Sequence, residues 1–246
     1  MSNLNKNLYS VTNVSIGVQA RTTSKRFPAK VLQIMGDRCL VDHVIGNATY
    51  SSRYINRHTH RTGVKCQVFL LVPKGDNRLL VSRPGVTVIE GDENDVLSRY
   101  TKMQDQHPAD FICRITADCP MVPSAMITKA IMGAVKGPWD FMTNAMPGYR
   151  TYPDGSDVEV MSAKLLEHLA KNAVGSQREH VTNLLWQDFP AWASISHMFN
   201  NYDFSDLKYS VDTEEDFERV KDNYESVRDK IKHWCDRHGQ SSAHRF

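Results

Sequence analysis

Long apolar runs are missing. No stretch of the 246 residues approaches the ~20 that a membrane span requires, so no membrane partner is expected. Cysteine is sparse: Cys39, Cys66, Cys113, Cys119 and Cys235 are an odd number, widely scattered, with no C-x-x-C pair. That argues against a disulfide framework and fits a reducing compartment. The opening residues, MSNLNKNLYSVTN, have no apolar core of the kind a signal peptide needs. Residues 1–13 are expected to be a flexible N-terminus, and the protein to be cytoplasmic. An excess of one charge is absent too: 30 Lys and Arg face 28 Asp and Glu, a net charge of +2. This balance excludes a dedicated nucleic-acid binder, and any cationic site must be local. Neither G-x-x-x-x-G-K-[ST] nor G-x-G-x-x-G occurs, which removes the P-loop and the usual dinucleotide fingerprint. With no repeat, low-complexity segment or linker, residues 1–246 read as one domain.

What is there is an alternation. VSIGVQA (14–20), QVFLLVP (67–73), VTVIEG (86–91), DFICRITA (110–117) and DFMTN (140–144) read as buried strands. Between them, LVDHVIGNATYSSRYI, ENDVLSRYTKMQ and the run opening near Pro123 carry apolar residues at helical spacing, with Asp92 as an N-cap. Continuous apolar strands alternating with amphipathic helices predict a mostly parallel sheet covered on both faces. Ligands of such sheets bind beyond the carboxyl ends of the strands. That rule puts Arg21–Lys30, Gly91–Asp95 and Asp118 on one rim. Further on, SDVEVMS reads as a strand, AKLLEHLAKN and SQREHVTNLLWQ as helices, and LKYSV as a short strand. A polar helix follows, with Thr213 as N-cap and Asp216 three residues on. AWASISHMF alternates, and residues 190–205 are expected to form an arm pairing across a two-fold axis.

Two features of the rim suggest chemistry. In SIGVQARTTSKRFPAKVL, a strand runs into Arg21, Arg26 and Lys30, which is either a solvated loop or a clamp for a polyphosphate. Asp118 in RITADCP and Asp212 in YSVDTEED each follow an apolar strand. Such aspartates hold a divalent cation in some proteins and simply cap a turn or helix in others. HTH (58–60), flanked by Arg57 and Arg61, and HWCDRH (233–238) read as adventitious surface residues. In Arg178-Glu179-His180 adjacent residues project in different directions, so not all three can face one ligand.

QARTTSKRFPAKVL, EGDENDVLSRY, RITADCPMV, YPDGSDVEV, REHVT and VDTEEDFERV occur in an order that resembles one family. The chain resembles the cytidylyltransferases of the CMP-sugar-acid synthetase type, nearest the group named for spore-coat polysaccharide biosynthesis. It is more distantly similar to 3-deoxy-manno-octulosonate cytidylyltransferase. The resemblance implies a Rossmann-like α/β nucleotidyltransferase fold, a homodimer, CTP as donor, Mg²⁺ as cofactor and a small anionic acceptor such as a sugar acid. It places Gln19, Ala20, Arg21, Arg26, Lys30, Asp92 and Asp118 at the nucleotide, and Asp118 and Asp212 at the metal. Arg26, Lys30, Asp118 and Asp212 would be catalytic. Tyr152, Asp154, Asp157, Glu159, Arg178, Glu179 and His180 would line the acceptor side.

The chain departs from the family where it has Thr23, Ala29 and Ala117 in place of the usual glycines, which puts in question how closely the backbone approaches a phosphate. Two alternatives stay open beside the sugar acid: an acceptor that is a phosphonate or phosphorylated small molecule, and a non-catalytic nucleotide-binding protein on the same fold. A glycosyltransferase would commonly carry Asp-x-Asp, which is absent.

Overall fold

Apolar side chains at alternate positions make Thr12–Gln19 a strand that buries both faces. Val14, Ile16 and Val18 face one helical layer, and Gly17 leaves room on the other for Tyr100. A Cβ on Gly17 would sit 2.7 Å from the Tyr100 ring, so glycine there is a packing requirement. The computed structural model describes residues 11–238, with side chains as far as residue 227.

The chain runs β1 Thr12–Gln19, a 3-10 turn Lys30–Leu32, and a small hairpin of β2 Ile34–Met35 and β3 Arg38–Cys39. Next come α1 Leu40–Arg57, α2 Thr59–Thr62, β4 Val64–Pro73, β5 Val86–Gly91, α3 Val96–Gln106 and β6 Phe111–Thr116. The remainder is α4 Ser124–Lys136, β7 Phe141–Thr143, β8 Glu159–Ser162, α5 Ala163–Asn172, α6 Ser176–Glu179, α7 Asn183–Gln187, β9 Ile195–His197 and α8 Glu214–His238.

Seven strands form one sheet in the order β5-β4-β1-β6-β8-β7-β9, and only β8 runs against the rest. Parallel neighbours need a crossover, and α1, α3 and α4 supply the helices. Helices α1 and α4 pack on one face, while α3, α5 and α7 pack on the other. The expected mostly parallel sheet with helices on both faces is therefore present. Gln19 stands level with Leu71 and Thr116, so β1, β4 and β6 end together at one rim. Among the described residues no helix is long and apolar enough to cross a membrane. Cys39, Cys66, Cys113 and Cys119 are free thiols, and burial pushes that of Cys66 up to about 12.

Several local expectations need correcting. The N-cap of α3 is Asp95, whose carboxylate accepts from Ser98 N at 2.9 Å. Asp92 instead closes a tight turn, accepting from the amides of Asn94 and Asp95 at 2.8 Å each. SQREHVTNLLWQ is not one helix. It breaks between α6 and α7 at Val181, which is fully buried and has a left-handed φ of 48°. Packing of Val181 into the core and the bond from Thr182 Oγ1 to Glu159 override local helix propensity. LKYSV makes only an isolated bridge, Lys208 to Asp154. Only Ile195–His197 of AWASISHMF is strand, lying parallel to β7 at the edge of this sheet. Thr12 and Asn13 already belong to β1; residues 1–10 of the flexible run, and the side chains of HWCDRH, lie outside the described residues. The cap of α8 is as expected, with Thr213 and Asp216 exchanging side-chain-to-backbone bonds of 3.2 Å.

Candidate active site

The rim is assembled from three chain segments. Beyond β1, the loop Arg21–Ala29 folds back on itself, with Ala29 N donating to Thr22 O at 2.9 Å. Ala29 stands where the resembled loop has glycine and adopts φ 55°, the conformation a glycine would take freely. The loop therefore keeps its shape at a strain cost. Phe27 fastens it to the C-terminal helix, its ring centroid 6.1 Å from that of Phe217.

Lys30 points back under the loop into the rim. Its Nζ donates to Asp118 Oδ2 at 2.7 Å, Val211 O at 2.7 Å and Asp212 Oδ1 at 3.0 Å. Asp118 follows β6, and Asp212 arrives just before α8. The two segments are stitched together by Val211 N donating to Asp118 O at 2.9 Å. Arg26 reaches the same Asp212 Oδ1 at 2.9 Å, and Lys208 sits 3.5 Å from its other oxygen. Burial works against the charge on Lys30, but the two carboxylates outweigh it and leave its pKa raised. Asp212 is held below the usual carboxylate range: burial opposes this, and the Lys30 bond with the charges of Lys30, Arg26 and Lys208 overrides it. Four of the residues singled out in the sequence, Arg26, Lys30, Asp118 and Asp212, thus form one cluster.

The other expected residues divide. Arg21 crosses the cleft to Glu179 at 2.9 Å, linking the cationic loop to α6. Asp157 is paired with both terminal nitrogens of Arg150, the longer contact being 2.9 Å. Asp154 accepts from Ser210 Oγ at 2.8 Å, Tyr152 donates to Phe199 O at 3.2 Å, and His180 is exposed. Glu159 and Arg178 belong to the framework. Glu159 is 4% exposed and takes Arg114 at 2.5 Å and Thr182 Oγ1 at 2.9 Å. Arg178 is spent on Asp95 at 2.7 Å and on the last carbonyls of α5. Gln19 Oε1 accepts from Arg114 and from the Tyr100 hydroxyl, at 3.1 and 3.2 Å. Asp92 offers its carbonyl to Arg99 Nε at 2.7 Å.

Arg114 and Arg99 were missed as site-building residues, and each had a signal. A lone arginine inside the apolar run FICRIT needs a buried partner, and DVEVM holds one in Glu159. Arg99 is 1% exposed and gathers carbonyls from Ala20, Leu71, Asp92 and Glu93 beneath the rim. Its signal is an arginine on the face of α3 that the apolar spacing buries. Among the described residues no group of three or more His, Cys, Asp or Glu is arranged to hold a metal ion. His58 bonds its own helix, at Tyr54 O.

Gly155 fixes the connection between β7 and β8 against the segment leading to Asp212. Its φ is +92°, and a Cβ there would overlap the backbone of Tyr209 and Ser210. Gly155→Ala is expected to lose about 3 kcal/mol, read as a lowered urea midpoint with unchanged slope. A loss below about 1 kcal/mol would show that the two loops part freely.

The sequence profile of a family described as cytidylyltransferase matches residues 16–230. Two curated relatives are similar. Protein MJ1063 of Methanocaldococcus jannaschii, described as uncharacterized, is 31% identical over 70% of this chain and 66% of its own length, just under two thirds. Spore coat polysaccharide biosynthesis protein SpsF of Bacillus subtilis is 27% identical over 87% of each. Among solved structures, a cytidylyltransferase from Leptospira borgpetersenii superposes with a TM-score of 0.74 at 26% identity, covering 85% of both chains. CMP:2-keto-3-deoxy-manno-octonic acid synthetase, solved in complex with CTP, gives a TM-score of 0.64 at 15% identity, over 88% of this chain and all of that one. The sheet is that of an α/β nucleotidyltransferase, and the chain belongs to the cytidylyltransferase family.

Proposed function

We propose that this protein moves CMP from CTP onto a sugar acid and releases pyrophosphate, supplying an activated precursor for a surface polysaccharide. The observation that carries the reading is the single ammonium of Lys30 shared by Asp118 and Asp212, with Arg26 on the same carboxylate. Relatives support it: one is named for polysaccharide biosynthesis, and another was solved with CTP.

In this reading an acceptor oxygen attacks the α-phosphorus in line, and the bond from that phosphorus to the β-phosphate bridging oxygen breaks. Catalysis is positioning plus neutralisation of charge. Arg21, Arg26 and Lys30 hold the β- and γ-phosphates and stabilise the departing pyrophosphate. Gln19, Ala20 and Asp92 lie at the strand ends where the nucleoside sits. Asp118 and Asp212 fit a hard divalent cation: two carboxylates already converge on one positive charge, and Mg²⁺ takes one or two carboxylates with waters and phosphate oxygens. Held by Asp118 and Asp212, such a cation would supply Lewis acidity toward the acceptor hydroxyl and would screen phosphate charge.

In this reading Tyr152, Asp154, Asp157, Glu179 and His180 line the acceptor side. Asp157 is paired with Arg150 and Glu179 with Arg21, so cations as well as carboxylates are offered to an acceptor, which suits a hydroxylated carboxylic acid. Edge strand β9, with Phe199, Tyr202 and Phe204 exposed beyond it, suits pairing of residues 190–205 in a homodimer.

The test is pyrophosphate release from each of the four ribonucleoside triphosphates with Mg²⁺, against 2-keto sugar acids, phosphonates and phosphorylated small molecules. Release with CTP and a sugar acid, abolished by EDTA, is expected. Release with a phosphonate instead would overturn the acceptor class. CTP bound by calorimetry with no release on any acceptor would leave the non-catalytic nucleotide-binding reading, and no CTP binding would mean that Thr23, Ala29 and Ala117 have closed the site.

A further inference from the structure

Asp76, in the turn after β4, is a carboxylate with a side chain only 5% exposed, and the reaction as proposed makes no use of it. It accepts from Thr22 N at 2.8 Å and from Thr22 Oγ1 at 2.8 Å. Thr22 is 2% exposed and is the second residue of the cationic loop. Its hydroxyl also accepts from Arg78, and its carbonyl takes Ala29 N at 2.9 Å. All three polar groups of one threonine are therefore committed, and they tie together both ends of the loop and the neighbouring turn.

That turn is itself held firmly. Lys74 N donates to Gly91 O at 2.8 Å, and Leu79 N donates to Asp76 O at 2.9 Å. Leu79 is fully buried in the core. Asp76 is thus a fixed post, and Thr22 is moored to it by one charge-assisted bond from its amide and one from its hydroxyl. The loop needs such a mooring because Ala29 holds a left-handed conformation that an alanine would leave if released. Arg21 lies one residue before the mooring, and Arg26 and Lys30 lie on the stretch it closes.

We infer that Asp76 is a positioning residue: through Thr22 it presets the cationic loop so that Arg21, Arg26 and Lys30 are arranged before a triphosphate arrives. The inference deepens the proposed reaction and, for its kinetic part, rests on it. Preorganisation of this kind appears in nucleotide affinity, because a slack loop must be ordered at the moment of binding.

The experiment compares wild type with Asp76→Asn, Thr22→Val and Thr22→Ser. The first removes the charge, the second the hydroxyl at nearly constant shape, and the third restores the hydroxyl. Asp76→Asn and Thr22→Val are expected to raise KM for CTP about tenfold, with kcat and the acceptor KM within about twofold. Thr22→Ser should stay within about threefold of wild type, and the double variant Asp76→Asn/Thr22→Val should be no worse than the poorer single one. Amide exchange of residues 20–30 in the nucleotide-free protein should quicken about tenfold in Asp76→Asn, with β1, β4 and β6 unchanged. Equal rises in both KM values, a lower melting temperature with unchanged KM for CTP, or unaltered exchange would each overturn the inference. If wild type neither binds nor turns over CTP, the proposed reaction fails, while the exchange experiment still decides whether Asp76 sets the loop.

Discussion

Asp118→Asn is expected to lower kcat by about 10²-fold while leaving CTP binding largely in place. Asparagine keeps the shape, and Lys30 keeps its bonds to Val211 O and Asp212, so the rim should hold together. What goes is one of two negative charges converging on a single point. In the proposed reaction Arg21, Arg26 and Lys30 remain to hold the triphosphate, so the loss falls on the chemical step. Pyrophosphate release at saturating CTP, set against calorimetric CTP affinity, separates the two effects. Turnover at the wild-type level would remove Asp118 from any role in holding a cation.

Lys30→Met should act in two opposite directions. Turnover should fall by about 10²-fold, because the proposed reaction loses a cation beside its leaving phosphates. Without nucleotide, however, binding of Mn²⁺ should tighten by about tenfold or more. A unit positive charge ~4 Å from a dication is repelled by about 8 kcal/mol in a partly screened site, and methionine removes it. The Lys30 ammonium, 10% exposed on its side chain, holds the very oxygens a divalent cation would take. Electron paramagnetic resonance of free Mn²⁺ during a titration measures the affinity directly. Weaker Mn²⁺ binding in the variant would mean that the two aspartates serve the lysine and not a metal.

Much of the sheet was legible because burial on both faces leaves a local trace. QVFLLV is apolar without alternation, and VSIGV interleaves its apolar residues only with Ser15 and Gly17, small enough to be buried; only a strand covered on both faces needs that. The cationic loop was legible for a related reason: charges that follow such a strand must lie at its end. Interactions between distant residues were harder to see. Nothing in SQREHVTNLLWQ announces the break at Val181, since the core that captures Val181 comes from other segments. Asp92 and Asp95 are equally good caps by composition, and only the direction in which the chain leaves β5 chooses between them. Glu159 looked like a cleft residue in YPDGSDVEV, yet its partner Arg114 stands on the adjacent, oppositely running β6, at the register position directly across from it. The shared ammonium of Lys30 joins positions 30, 118 and 212, and no local pattern encodes that meeting.

Strand β8 runs against its neighbours and therefore begins, rather than ends, at the rim. The chain consequently visits the cleft on separate excursions: the ends of β1, β4, β5 and β6 early on, and the connection 144–158 between β7 and β8 later. Each excursion is anchored in a different part of the sheet. The later one is tied at Asp154 and Gly155 to the segment leading to Asp212, so it can vary only outside those contacts while the earlier ones are inherited unchanged. In the proposed reaction, this separation lets such proteins diversify what they activate without reinventing how they handle the nucleotide.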